Sequence, residues 1–135
     1  MAMDLTEEDS TFRDVTRRWV STECSKQYCR ELERQEHVFP QDLWDKLSAF
    51  GAHGIGIPEE FGGQGGSIVT QALFAREFAR TAAGIGWVWG VTSFSGAKTL
   101  TFRGNEGQKA AFLPTIATRE RRPATGAADA SRGTD

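Results

Sequence analysis

Seventeen consecutive residues, Thr81 to Ala97, carry no charge, and whatever the chain folds into must take this stretch out of water. Its length only reaches the lower limit of about 17 residues for a membrane span. It also contains Gly84, Gly86, Gly90, Thr92, Ser93, Ser95 and Gly96, small and polar groups that suit a helix packed inside protein better than one in lipid. The expectation is a helix running to about Arg103, apolar on every side and buried on every side, with no membrane span. The rest of the chain must then supply its packing partners.

It does so with amphipathic segments. Thr6 followed by Glu7, Glu8 and Asp9 is a helix start, a capping hydroxyl followed by carboxylates where the helix dipole favours them. Phe12, Val15, Trp19, Val20, Cys24 and Tyr28 recur at three- and four-residue steps, which predicts one helix from Glu7 to about Glu33. Pro40 fits the first turn of a second helix whose stripe is Leu43, Trp44, Leu47 and Phe50, with Gly51 as a left-handed cap. Ser67 caps a third helix to about Arg80, with Val69, Ala72, Leu73 and Ala79 among its inward candidates. The charge-free helix is the fourth. Asn105 and Gln108 form a capping box for a fifth, ending near Leu113 and Pro114. The fold class is therefore all-α, a bundle of about five helices with a short C-terminal strand or disordered tail. Residues 1–114 form the helical domain, and 115–135, which lack a helical stripe, follow as a separate piece.

Composition narrows the function. A net charge of −2, from 16 basic and 18 acidic residues, leaves no excess positive field for a phosphate backbone, so nucleic acid is excluded as a partner. Cys24 and Cys29 would point away from each other on one helix, so no disulfide is expected. With the isolated His37 and His53 they make no metal-ligand spacing, and buried thiols and surface histidines are the simpler reading. The acidic start MAMDLTEEDS is unlike a signal peptide and reads as the start of a soluble, cytoplasmic protein.

Seven glycines fall in GAHGIGIPEEFGGQGG, residues 51–66, more than regular structure tolerates. GGQGGS lacks the Gly-Lys-Ser/Thr ending of a P-loop, and GAHGIG follows a helix where a dinucleotide fingerprint needs a strand. A tightly folded structural loop is expected, with Glu59 and Glu60 in turn and surface roles. The Ser, Cys and His residues are too scattered along the chain to propose a nucleophile with its base. The fourth helix is more suggestive. Val88, Val91, Thr92 and Ser95 fall at i, i+3, i+4 and i+7, one face of modest side chains that could line a slot for an apolar ligand or simply pack in the core.

The segments DLTEEDSTFRDVTRRWV, FPQDLWDKLSAFGAHGIGIPEEFGGQGGS and GNEGQKAAFLPTIATRE, taken in that order, resemble the N-terminal part of the acyl-CoA dehydrogenase family. Arg119 stands where that family usually has a glycine. The resemblance implies that the exit after the fifth helix enters the first strand of a β-domain, carrying a flavin-contact stretch of the form T-E-P-x-A-G-S-D. Here the corresponding residues are ADASRGTD: Ala128 stands for the threonine, Asp129 for the glutamate, Ala130 for the proline and Arg132 for a small residue. Gly133 and Asp135 are retained and Thr134 replaces a serine near flavin and substrate.

By resemblance, then, Asp129, Gly133 and Thr134 would touch FAD, while Val88, Val91, Thr92, Ser95 and Thr134 would face the acyl-CoA. The reaction implied is α,β-dehydrogenation of an acyl-CoA thioester with FAD as hydride acceptor. The catalytic glutamate and most of the flavin site would lie beyond these 135 residues, so the chain is expected to stop where its second domain should begin and to be inactive alone. A homo- or hetero-oligomer and an electron-transfer flavoprotein are the implied partners. The rival expectation is a non-catalytic helical module that pairs with a complementary dehydrogenase subunit.

Overall fold

The computed structural model describes residues 4–35 and 38–123. Among them the elements are α1 (Glu7–Glu23), α2 (Lys26–Glu33), α3 (Gln41–Ala49), two 3-10 turns (Ala52–Gly54 and Glu59–Phe61), α4 (Ile68–Phe78), α5 (Ala83–Trp89), a π-helical segment (Gly90–Gly96), α6 (Ala97–Arg103) and α7 (Glu106–Ala117). The all-α class stands. No helix among the described residues is long and apolar enough to cross a membrane.

Local chemistry accounts for most of the helix starts. The Thr6 hydroxyl accepts the Asp9 amide at 3.1 Å while the Asp9 carboxylate accepts the Thr6 amide at 3.3 Å. Ser67 with Thr70, and Asn105 with Gln108, make the same reciprocal box on α4 and α7. Gly51, at φ 81°, closes α3 as expected, and Pro40 sits at the cap of α3, one place before its first turn.

The expected first helix is in fact two. The chain breaks at Cys24, φ −125° and ψ 47°, and Ser25 restarts it by accepting the Tyr28 amide at 3.2 Å. A serine cap without an acidic residue three places on is a weak signal, and the apolar stripe running across the break hides it. The last helix also departs from expectation. It passes through Pro114 and ends at Ala117, with Leu113 and Ile116 buried on either side of the proline. Their packing offsets the hydrogen bond that the missing N–H removes.

Between α3 and α4 the glycine loop folds against itself. Ile55 and Gly65 form an isolated parallel bridge, the Gly56 amide donates to the Gly65 carbonyl at 2.6 Å, and the Gly65 amide donates to Ile57 at 2.9 Å. This buries Ile55 and Ile57, and it leaves no room at Gly63, where a Cβ would overlap the Ile57 carbonyl. Glu59 and Glu60 stay exposed, as turn residues do.

The core centres on Leu43, Trp44, Leu47, Phe74, Phe78 and Trp89, all at most 2% exposed. An aromatic chain ties the helices together: Trp19 stacks on Phe50 with ring centroids 4.6 Å apart, and Phe74 meets Trp89 at 4.6 Å. Each such ring contributes about 2–3 kcal/mol by leaving water. A second cluster, Ile57, Ala97, Leu113 and Ile116, fastens α7 to the loop and to α6. On α4 the inward residues are Gln71, Leu73, Phe74, Glu77 and Phe78, while Val69 is half-buried and Ala72 and Ala79 are exposed. The two polar members were invisible to an apolar stripe because their hydrogen-bond partners come from elsewhere in the chain. The Gln71 side-chain amide donates to the Ile55 carbonyl at 3.0 Å, and Glu77 takes both arms of Arg17 at 3.0 and 3.1 Å, joining α4 to α1.

Candidate functional site

Of the residues expected to face an acyl chain, Val88, Val91, Thr92 and Ser95 lie on the continuous rod formed by α5, the π-helical segment and α6. A uniform α-helix would place Val88, Val91, Thr92 and Ser95 on one face. The wider turn over Gly90–Gly96 breaks that phase. Thr92 turns into the core at 6% exposure, and its hydroxyl donates to the Val88 carbonyl at 2.9 Å, where the ladder changes from i+4 to i+5. Val88, Val91 and Ser95 are half-buried. The expectation of a rod buried on every side is overturned, because Trp87 is 75% exposed and Phe102 73%. Trp87, one residue before Val88, is the side chain that a spacing argument passed over.

Two of the rod's core residues, Trp89 and Ser93, are held from the turn Ala52–Gly54. The Trp89 indole N–H donates to the Ala52 carbonyl at 3.0 Å, and Ser93 Oγ lies 3.1 Å from His53 Nδ1. His53 is 1% exposed, so it is a core residue and not the surface histidine expected. Burial pushes its pKa down, partly opposed by the Trp44 carbonyl, so the ring is neutral at pH 7. The Nε2 side lies 3.4 Å from that carbonyl, which places the proton there and leaves Nδ1 to accept from the Ser93 hydroxyl. The fold thus assembles a serine–histidine pair that sequence distance concealed. With both groups 1% exposed, no substrate atom can reach it, and it is a structural bond.

The thiols are equally inert. Cys24 and Cys29 are free and buried, and burial drives the Cys24 pKa up to about 12. Among the described residues no group of three metal-ligating side chains gathers. His37, Asp129, Gly133 and Thr134 lie outside the described residues, as do Ala128, Ala130, Arg132 and Asp135.

Among the described residues, well-formed clefts are found away from Val88, Val91 and Ser95. One of about 230 Å³ opens between α2, α3 and α5 beside Cys29, Leu32, Leu43 and Ile85. Another, of about 520 Å³, lies where the starts of α1 and α4 meet the glycine loop, lined by Thr6, Asp9, Gln64 and Ser67. Among the described residues, buried polar atoms on Thr16, Trp44, Gln71 and Thr81 lack a hydrogen-bond partner, and Thr81 borders a cleft between α1 and α4.

After α7, Arg119 adopts φ 67°, the left-handed conformation for which a glycine would be the natural residue, and it pairs with Asp45 of α3. The turn is kept despite the substitution. Arg122 follows, its guanidinium 4.4 Å above the ring of Phe39, which lies just before α3.

A sequence model described as "Acyl-CoA dehydrogenase, N-terminal domain" matches residues 6–120. An acyl-CoA dehydrogenase of Bacillus subtilis is 30% identical over 115 residues, covering 85% of this chain and 30% of its own length. Subunit CarC of the caffeyl-CoA reductase-Etf complex of Acetobacterium woodii is 30% identical over 135 residues, covering 98% of this chain and 35% of its own. Among solved structures, an acyl-CoA dehydrogenase of Bacillus anthracis complexed with FAD superimposes with a TM-score of 0.82 at 29% identity, over 96% of this chain and 22% of that one. Fold and relatives together define a class, the helical N-terminal domain of acyl-CoA dehydrogenases. The chain belongs to the acyl-CoA dehydrogenase family, and it spans about a third of the length of the curated relatives described.

Proposed function

We propose that this chain is the N-terminal, acyl-facing part of a flavin-dependent acyl-CoA dehydrogenase, a partial protein that is inactive by itself. The reaction is α,β-dehydrogenation of an acyl-CoA thioester, and bound FAD would accept the hydride. The observation that carries this reading is the uncovered side of the α5 rod. Trp87 is 75% exposed, more than any other large apolar side chain among the described residues, and Val88, Val91 and Ser95 near it are half-buried. Such a surface suits contact with an apolar chain and with further protein.

Within the reading, Val88, Val91 and Ser95 border the acyl chain and Thr92 supports them from inside. Asp129, Gly133 and Thr134 contribute the first flavin contacts, and Thr134 also approaches the substrate. The second domain begins after α7, and its start takes in the residues following Ala117. An electron-transfer flavoprotein is the proposed electron acceptor, supported by the relative whose name places it in an Etf complex. In a complete, active assembly, Val91→Trp should shift preference toward shorter acyl chains. An unchanged profile of kcat/KM against chain length would remove Val91 from the site.

The second reading, a non-catalytic module pairing with a complementary dehydrogenase subunit, is favoured by Ala128 and Arg132, which replace a hydroxyl and a small residue in the flavin stretch. Purification separates the two. A complete assembly that retains FAD through this chain comes out yellow and loses flavin on Thr134→Trp, whereas a module leaves flavin content unaffected by that change.

A further inference from the structure

The π-helical segment Gly90–Gly96 needs a cause. An i+5 ladder has poorer geometry than an α-helix, and stretches of it persist only where other contacts select them. Glycines at 90 and 96 lower the cost of the wider turn, but they would equally permit an α-helix. The contacts that discriminate come from the turn Ala52–Gly54. It grips the rod at Trp89 through the Ala52 carbonyl, and at Ser93 through His53 Nδ1, with Trp89, Ser93 and His53 each 1% exposed. An extra residue per turn after Trp89 rotates everything downstream by roughly 100° relative to an uninterrupted helix. In the α register Ser93 would therefore leave His53, stranding a buried ring nitrogen without a donor. His53 itself is fixed on its other side, its ring 4.4 Å from that of Trp44 and its Nε2 against the Trp44 carbonyl.

We infer that the Ala52–Gly54 turn is a clamp that selects the π register of the rod, and that His53, acting through Ser93, is a positioning residue for the outward row at Val88, Val91 and Ser95. Its consequence for substrate rests on the acyl-facing reading above, whereas the clamp itself does not. The ring is the natural group for this task. Held neutral by its surroundings, it offers one acceptor and one donor on opposite edges, so it can hold the rod and α3 at the same time.

The test is amide hydrogen exchange and backbone NMR shifts of residues 90–97 in the 135-residue chain, compared across His53→Leu, His53→Gln and Ser93→Ala. In His53→Leu and Ser93→Ala the amides of residues 94–97 should exchange about tenfold faster, the equivalent of one buried hydrogen bond, with carbon shifts moving as the register changes. His53→Gln, whose side-chain oxygen can still accept from Ser93, should keep the wild-type pattern. Should His53→Leu fail to fold, Ser93→Ala removes a single oxygen and decides the matter. Unchanged exchange and shifts across 90–97 in Ser93→Ala would overturn the clamp. In a complete dehydrogenase, an altered register with an unaltered acyl-chain profile would confirm the clamp and reject the acyl-facing reading.

Discussion

Arg119 carries a backbone conformation that costs a residue with a Cβ roughly 1 kcal/mol, and its ion pair with Asp45 is too exposed to return more than about that. Two substitutions separate these effects. Arg119→Ala loses the pair and keeps the strain, while Arg119→Gly loses both. Arg119→Gly should therefore be the more stable of the two by about 1 kcal/mol in urea unfolding. Equal midpoints would mean that the turn relaxes when the arginine leaves.

Glu77 presents the other residue-scale case. The two bonds from Arg17 hold its carboxyl below the usual value of 4.5 in spite of burial. A lowered folded value means that the pair contributes its full stability above the unfolded pKa and loses it as pH falls through the folded one. Glu77→Gln should cost about 1–2 kcal/mol at neutral pH, the lower end for a buried charge because Arg17 is half exposed. It should also flatten the decline of stability below about pH 5. Parallel pH curves for variant and wild type would count against this account.

At the scale of elements, the glycine loop behaves as a folded unit and not as a linker. Gly62 and Gly63 are adjacent, yet only one of them is hemmed in. A Cβ at Gly62, φ 77°, meets nothing within 4 Å, so Gly62→Ala should cost only the left-handed strain, about 1 kcal/mol. At Gly63 the new methyl would overlap the Ile57 carbonyl and break the bridge between Ile55 and Gly65, so Gly63→Ala should cost about 3 kcal/mol or more. Thermal melts of the pair measure the difference, and similar losses in both would show that the loop yields.

The elements also show how far sequence reasoning carries. Thr6, Ser67, Asn105 and Gly51 announced their helix ends because a cap is a contact over three or four residues, wholly contained in the local sequence. The break at Cys24 and the passage through Pro114 were not announced, since each depends on how the flanking side chains pack. The π-helical segment was the largest departure. Its register is selected from residues 37 and 40 positions away, so no local periodicity could reveal it.

For the whole molecule, the uncovered rod has a consequence in solution. Trp87 and Phe102 are each about three-quarters exposed, large apolar groups that a lone domain leaves in water. The 135-residue chain should therefore self-associate as its concentration rises in sedimentation velocity, and Trp87→Lys with Phe102→Lys should suppress this. A wild-type chain that sediments as a monomer throughout would show that these side chains find cover within the protein.

Taken alone, the sequence determined the all-α class, the helix caps, the glycine loop and the family, because periodicity, capping and ordered motifs are properties of neighbouring residues. Tertiary structure alone decided which polar groups belong inside: Gln71 against the loop, Glu77 on Arg17, His53 on Ser93. It also decided which side of the charge-free helix remains uncovered. Burial of a polar group is favourable only when a partner arrives to satisfy it, and these partners come from 16 to 60 residues away. Their arrival depends on the whole fold and not on the segment itself.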